Sequence, residues 1–163
     1  MSNTIIDVFE FCRRAQQLEG SAAVADFPRL TAELADKRGN LRWSVKGGQH
    51  ASGKPQLLVQ VDGEVHLMCQ RCLTAYALPV ASESVLVATR DDAEADQTEI
   101  LLNDDSIDVI VVTEPLDLLA VVEDEVLLAL PVSPRHAVCP DGAALAAVND
   151  KAESPFAVLK KLK

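Results

Sequence analysis

Aromatic side chains are scarce in this chain: one Trp, one Tyr and four Phe make up 4% of its 163 residues. A core must then come mostly from Leu, Val, Ile and Ala, and a hydrophobic fraction of 48% supplies them and excludes wholesale disorder. Long apolar runs are missing, since none reaches the roughly 18–20 consecutive residues of a membrane helix. The first ten residues lack a basic start followed by an apolar core, so no secretory signal is expected and the chain reads as cytoplasmic. In that compartment its four cysteines, Cys12, Cys69, Cys72 and Cys139, should be reduced, so no disulfide scaffold is expected. There is no Gly-x-Ser-x-Gly, no Walker loop and no Gly-rich dinucleotide turn, and the histidines number only three.

Positive charge is absent from one long segment. Asp91 to Glu125 holds 13 acids and no Lys or Arg, which leaves 12 acids against 15 bases in the rest of the chain. The overall charge of −10 argues against coating nucleic acid by bulk charge. The distribution instead describes a mildly basic body with one acidic segment. That segment is either a solvated stretch that aids solubility or a surface for a basic partner. The bases form small clusters at Arg13-Arg14, at Lys37-Arg38 with Arg42 and Lys46, and at Lys160-Lys161 with Lys163.

Periodicity predicts helices at both ends and strands between them. Ile5 to Gln17 has a mixed helical spacing that Gly20 would stop, and Arg29 to Ala35 is a second short helical stretch. Leu41, Trp43 and Val45 alternate with polar residues, as a half-buried strand requires. Gly47 to Pro55 reads as a loop. Leu57, Val59, Val61, Val65, Leu67 and Cys69 share one parity across Asp62-Gly63, which favours one long strand over a hairpin at Asp-Gly. Leu73 to Thr89 is a further strand in which a parity change predicts a bulge near Ser82-Glu83-Ser84. Residues 91–106 are expected to be an acidic, mobile segment, and Ile107 to Val112 a fourth strand. Thr113-Glu114-Pro115 opens a helix over Leu116 to Leu130, which Pro131 ends. Ala143 to Val148 suggests a turn or two of helix. Ser154-Pro155 caps an amphipathic helix at 154–163. The order of elements implies a single α+β domain over 1–163, with an antiparallel sheet of about four or more strands and flanking helices.

Cys69-Gln70-Arg71-Cys72 is the sharpest local feature, because thiolates two residues apart can grip one metal ion from a turn. The only candidate second half is His136-Ala137-Val138-Cys139. Together they make a Cys3His set suited to zinc, although the separation far exceeds that of a zinc finger. The alternatives are buried structural thiols, with Cys69 in phase with Leu67, or a redox pair. A thioredoxin-like pair would sit at a helix start, whereas this one lies between strands.

Two segments taken together resemble the YceD family of large ribosomal RNA subunit accumulation proteins found in bacteria and plastids. They are Cys69-Gln70-Arg71-Cys72-Leu73 and the stretch from Asp117 to Val132, with Glu123-Asp124-Glu125 followed by apolar residues and Ala129-Leu130-Pro131. His136, Cys139 and Pro155 to Leu159 follow in the same order. The likeness runs from about Val59 to the C-terminus. It implies a cytoplasmic factor needed for normal accumulation of 23S rRNA, and carries over no catalytic residue. Some members look as though extra cysteines complete a metal half-site after the Leu-Pro segment, where this chain has only His136 and Cys139.

Three functions are therefore set against one another. The first is a non-enzymatic factor that binds 23S rRNA or large-subunit precursors through Arg71, Lys160 and Lys161. The second is an acidic adaptor or chaperone that holds a basic ribosomal protein through Glu123, Asp124 and Glu125. The third is a cysteine enzyme, which would need an accessible Cys69 or Cys72 with a depressed pKa. No small-molecule substrate and no membrane partner is expected.

Overall fold

A computed structural model describes residues 4–140 of the chain. The helices read in the sequence over Ala143 to Val148 and over 154–163 lie outside the described residues, as do Lys160 and Lys161. The chain begins with a two-residue strand, β1 (Ile5–Ile6), followed by helix α1 (Val8–Arg13) and strand β2 (Gln17–Ala23). A single 3₁₀ turn leads to helix α2 (Pro28–Glu33) and then to three long strands: β3 (Asn40–Gln49), β4 (Pro55–Met68) and β5 (Ala75–Thr89). Helix α3 (Asp92–Leu102) and strand β6 (Ile107–Val111) come next, then strand β7 (Leu116–Asp117) and helix α4 (Leu118–Ala129). The main sheet has the order β2-β3-β4-β5-β6, and β1 pairs with β7 in a small second sheet. This is an α+β fold with a mostly antiparallel sheet. The exception is β6, which runs parallel to β5 because α3 carries the chain back across before it pairs.

The alternation in β4 accounts for its length. Leu57, Val59, Val61, Val65 and Leu67 are buried, while Gln60, Asp62 and Met68 on the other parity are exposed. Register with β5 continues without interruption from Gln56↔Val87 to Met68↔Ala75. Asp62-Gly63 is therefore interior to one strand. Glycine is needed there because a Cβ would lie 2.6 Å from the carbonyl oxygen of Asn40 on the neighbouring strand.

Several expectations are corrected. Ile5 to Gln17 is not one helix: Asp7 caps α1 by accepting the Glu10 amide at 3.0 Å, and the chain turns at Ala15, with φ of 48°, into β2. Gly20 lies within β2, where its missing Cβ makes room for the Trp43 ring. The turn residues after Gly47 shorten to a tight connection, because β3 runs on to Gln49 and β4 starts at Pro55. The bulge at Ser82-Ser84 is absent, since Val61↔Ser82 and Val59↔Ser84 keep regular register. Both serines face the core side, and their parity looked broken only because polar residues occupy inward positions.

A further correction concerns the acidic segment. Residues 91–106 are largely helical rather than an irregular linker. Asp91 caps α3 by accepting the Glu94 amide at 2.8 Å, and Asn103 closes it in the left-handed region. Asp92 and Glu94 sit at the positive end of the helix dipole, where negative charge is stabilising. The Glu94 carboxylate pairs with Lys54, which holds its pKa below the ordinary range.

Helices α1, α2 and α4 cover one face of the sheet, and their buried residues merge with those of β3, β4 and β5 into one core. Val87 points to the other face and is fully buried where α3 packs on β5 and β6. Helix α4 is started by Asp117, whose side chain accepts the Leu119 amide at 3.0 Å, rather than by Thr113-Glu114-Pro115. Leu116 and Asp117 are used instead to pair with β1.

Candidate metal centre

The antiparallel pairing of β4 and β5 places Cys69 to Thr74 in the turn at one end of the long hairpin. The turn is closed by the Cys69 amide donating to the Thr74 carbonyl at 3.0 Å and the Leu73 amide donating to the Cys69 carbonyl at 2.9 Å. Leu73 adopts φ of +58°, a conformation that costs a side-chain-bearing residue about 1–2 kcal/mol. The segment after α4, Pro131–Pro140, folds over this turn. The Gln70 amide donates to the Pro134 carbonyl at 2.9 Å, and the Ser133 hydroxyl to the Gln70 side-chain carbonyl at 3.0 Å.

These contacts bring the two halves of the sequence motif together. One ligand atom each from Cys69, Cys72, His136 and Cys139 lies within 4.8 Å of all the others. Cys69 Sγ is 3.8 Å from Cys139 Sγ, and Cys72 Sγ is 3.3 Å from His136 Nδ1. Cys69 is buried, whereas the other three are half-buried. The His136 ring rests against Tyr76, with centroids 4.9 Å apart, which fixes its orientation. The only tyrosine of the chain thus sits beside the cluster, which its place in an alternating strand did not signal.

The sulphur atoms are surrounded by donors. Burial pushes the Cys69 thiol up, but the amides of Cys72, His136 and Arg71 outweigh it and bring Cys69 down to about 5. Cys139 is shifted the other way, first by burial and then by the two neighbouring thiols, against the pull of Arg71. The Arg71 guanidinium lies across the cluster, donating from Nε to Cys139 Sγ at 3.1 Å and from Nη2 to the His136 carbonyl at 3.2 Å. A catalytic thiolate must be reached by its substrate, yet Cys69 has no exposed surface. A sealed thiolate ringed by amide donors suits a metal ligand better than a nucleophile. Cys12 is remote from the cluster and donates to the Gln56 carbonyl at 3.1 Å from within the core.

The remaining sequence candidates are distributed elsewhere. The Glu123-Asp124-Glu125 shoulder is not an open acidic surface. Glu123 and Glu125 are 4% and 6% exposed, and Asp124 is engaged by Arg29 at 2.5 Å. Glu123 accepts the Arg29 and Leu30 amides at 2.7 and 2.9 Å, and Glu125 accepts the Ser84 and Ser82 hydroxyls at 2.6 and 3.1 Å. An acidic triplet on an amphipathic helix reads as solvated because nothing local reveals the donors waiting on α2 and β5. His50 bonds Ser52, and His66 faces Asp36, both away from the cluster.

Among the described residues, most of the basic side chains are engaged. Arg13, Arg14, Arg29, Arg38, Arg42 and Lys54 each pair with a carboxylate. Arg90 lies over the Phe9 ring at 4.2 Å. Arg71 and Arg135 are exposed at the cysteine end of the molecule, and neither pairs with a carboxylate among the described residues. Arg135 donates only to Ser133, at 3.2 Å.

A family profile described as large ribosomal RNA subunit accumulation protein YceD matches residues 57–163, well over half of the chain. The chain has no significant match among curated proteins or among solved structures.

Proposed function

The chain belongs to the YceD family, whose role lies in accumulation of large-subunit ribosomal RNA, and from that premise we propose that it is a non-enzymatic rRNA-binding factor. In this reading it holds 23S rRNA, or a large-subunit precursor that contains it, in the cytoplasm. The observation that carries the binding mode is the pair Arg71 and Arg135, exposed on one end without carboxylate partners among the described residues. Neither guanidinium faces a carboxylate, and each keeps N–H donors for phosphate beyond those given to Cys139 and His136 by Arg71 and to Ser133 by Arg135. In sequence, residues 141–163 follow this segment and contain Lys151, Lys160, Lys161 and Lys163. The acidic α3 lies on another part of the sheet, which reconciles RNA binding with a net charge of −10.

Affinity purification of the tagged chain from growing cells, with and without RNase, tests the proposal. Large-subunit rRNA precursor that co-purifies, and is lost on RNase treatment together with its ribosomal proteins, supports direct binding. A basic ribosomal protein that stays bound after RNase supports an adaptor instead. One observation favours that second reading. Asp96, Glu99, Asp104 and Asp105 are exposed beside Ile100 and Leu101, themselves 79% and 69% exposed. The adaptor surface would then be α3 and the turn after it, not Glu123-Asp124-Glu125.

A further inference from the structure

We propose that Cys69, Cys72, His136 and Cys139 hold one zinc(II) ion in a closed tetrahedral site, and that this ion fastens Pro131–Pro140 to the β4–β5 turn. The inference is independent of what the protein binds.

Distance is the first argument. Zinc–sulphur bonds of about 2.3 Å place two sulphurs of a tetrahedron about 3.8 Å apart. The Cys69 and Cys139 sulphurs are separated by 3.8 Å. A sulphur and a nitrogen of the same tetrahedron stand about 3.5 Å apart, and Cys72 Sγ and His136 Nδ1 are separated by 3.3 Å. These two pairs are spaced as corners of one coordination shell, and all four ligand atoms lie within 4.8 Å of one another.

The second argument is what else could order the loop. Among the described residues none from Pro131 to Pro140 is buried, and Val132 and Val138 are 100% and 84% exposed. Ordering ten residues costs conformational entropy that apolar burial here does not offset. The loop nevertheless follows a defined path over the turn, meeting it through a few hydrogen bonds and the ligand cluster. A metal shared between loop and turn supplies the missing attachment.

Charge and surroundings agree. Three thiolates, one neutral imidazole and Zn²⁺ sum to a single negative charge, and Arg71 lies against Cys139 to balance it. The Arg71 amide donates to Cys69 Sγ at 3.4 Å, an outer-shell donor of the kind a zinc-bound thiolate uses. Binding releases the thiol protons to solvent and changes no oxidation state. All four positions are filled by side chains, so the site is structural rather than one that activates water. Three soft sulphurs and one imidazole in a tetrahedron select zinc over magnesium or calcium.

Elemental analysis of the full chain, purified without a histidine tag or added metal, is the test. One zinc per chain is expected. Cys139→Ser and His136→Ala should each surrender zinc to a competing chelator at least about tenfold more readily, and Cys12→Ser should match the wild type. Replacement of zinc by cobalt(II) in the unmutated chain should give the intense visible absorption and thiolate charge transfer of a tetrahedral site. This arm stands even if the variants fail to fold. A folded wild-type chain that retains no zinc, carries iron instead, or shows the weak spectrum of octahedral cobalt overturns the proposal. So does a Cys139→Ser variant that holds zinc as tightly as the wild type.

Discussion

The carboxylate of Glu123 reaches 93 residues back along the sequence to accept the backbone amide of Leu30 at 2.9 Å. It caps the first turn of α2 from α4, and so joins the N-terminal elements to a helix that the family profile covers. Replacing Glu123 with Ala strands two amides and one face of the Arg29 guanidinium. The expected loss is about 2–3 kcal/mol, read as a fall of about 4–12 °C in the thermal midpoint.

The same contact carries a pH signature. Burial pushes the Glu123 carboxyl up, but the Leu30 amide and the Arg29 groups outweigh it and hold its pKa below the ordinary 4.5. A depressed folded value means that the stabilisation is complete above about 4.5 and is lost as pH falls through the folded pKa. The stability gap between wild type and Glu123→Gln should be full at neutral pH and should narrow on acidification. Urea unfolding of both at a series of pH values measures it. A gap that widens at low pH would show that the charge on Glu123 does not carry the contact.

Ser84 and Glu125 form a second inward polar pair, at 2.6 Å, under the helix face of the sheet. Ser84→Ala leaves a carboxyl that is 6% exposed short of one of its two hydroxyl donors. A loss of about 1–3 kcal/mol is expected. Replacing Ser82, Ser84 and Glu125 together with Ala, Ala and Leu should cost less than the sum of the separate changes, because no orphaned polar group remains. Additive losses would mean that the three side chains act independently.

The sequence made the sheet easier to read than its attachments. The β4 alternation through Gly63 is a one-dimensional signal, and the Cys69/Cys72 and His136/Cys139 halves could be matched by residue type alone. Ser82, Ser84, Glu123 and Glu125 misled because their partners are distant, so inward polar residues looked like a bulge and a solvated shoulder. Gly20 suggested a helix stop, and only the pairing of β2 with β3 shows that it makes room for Trp43. Acid-rich α3 had no apolar stripe to announce it, since its order comes from the Asp91 cap and the Lys54 pair.

Arg135 offers a direct readout of the loop. It is exposed within a segment that has no buried residue among those described. With the Cys3His cluster intact, trypsin should cut after Arg135 slowly. Chelation should raise that cleavage at least about tenfold, because cleavage then follows the population of the opened loop. Arg71→Lys keeps one positive charge but cannot span both the Cys139 sulphur and the His136 carbonyl, so it should raise cleavage at Arg135 partway. Fragment masses separate cuts after Arg135 from cuts elsewhere. Equal rates with and without chelator would show that hydrogen bonds alone hold the loop.

Arg135 also separates RNA contact from loop anchoring, because it touches neither the sulphurs nor their donors. If it meets a phosphate, Arg135→Ala should weaken binding to large-subunit rRNA evenly across sequences. The slope of log affinity against log salt should become shallower by about 0.7–0.9, the value for one released counterion. Thermal stability should stay within about 0.5 kcal/mol of the wild type, as for an exposed side chain whose one hydrogen bond is to the exposed Ser133. Asp96→Lys with Glu99→Lys on α3 should leave the slope unchanged if that helix faces away from the RNA. A reversed pattern, with rRNA binding indifferent to Arg135 and a basic protein lost on charge reversal in α3, would assign function to the acidic surface. Titrations at several salt concentrations, repeated with RNase-treated extract, distinguish the two outcomes.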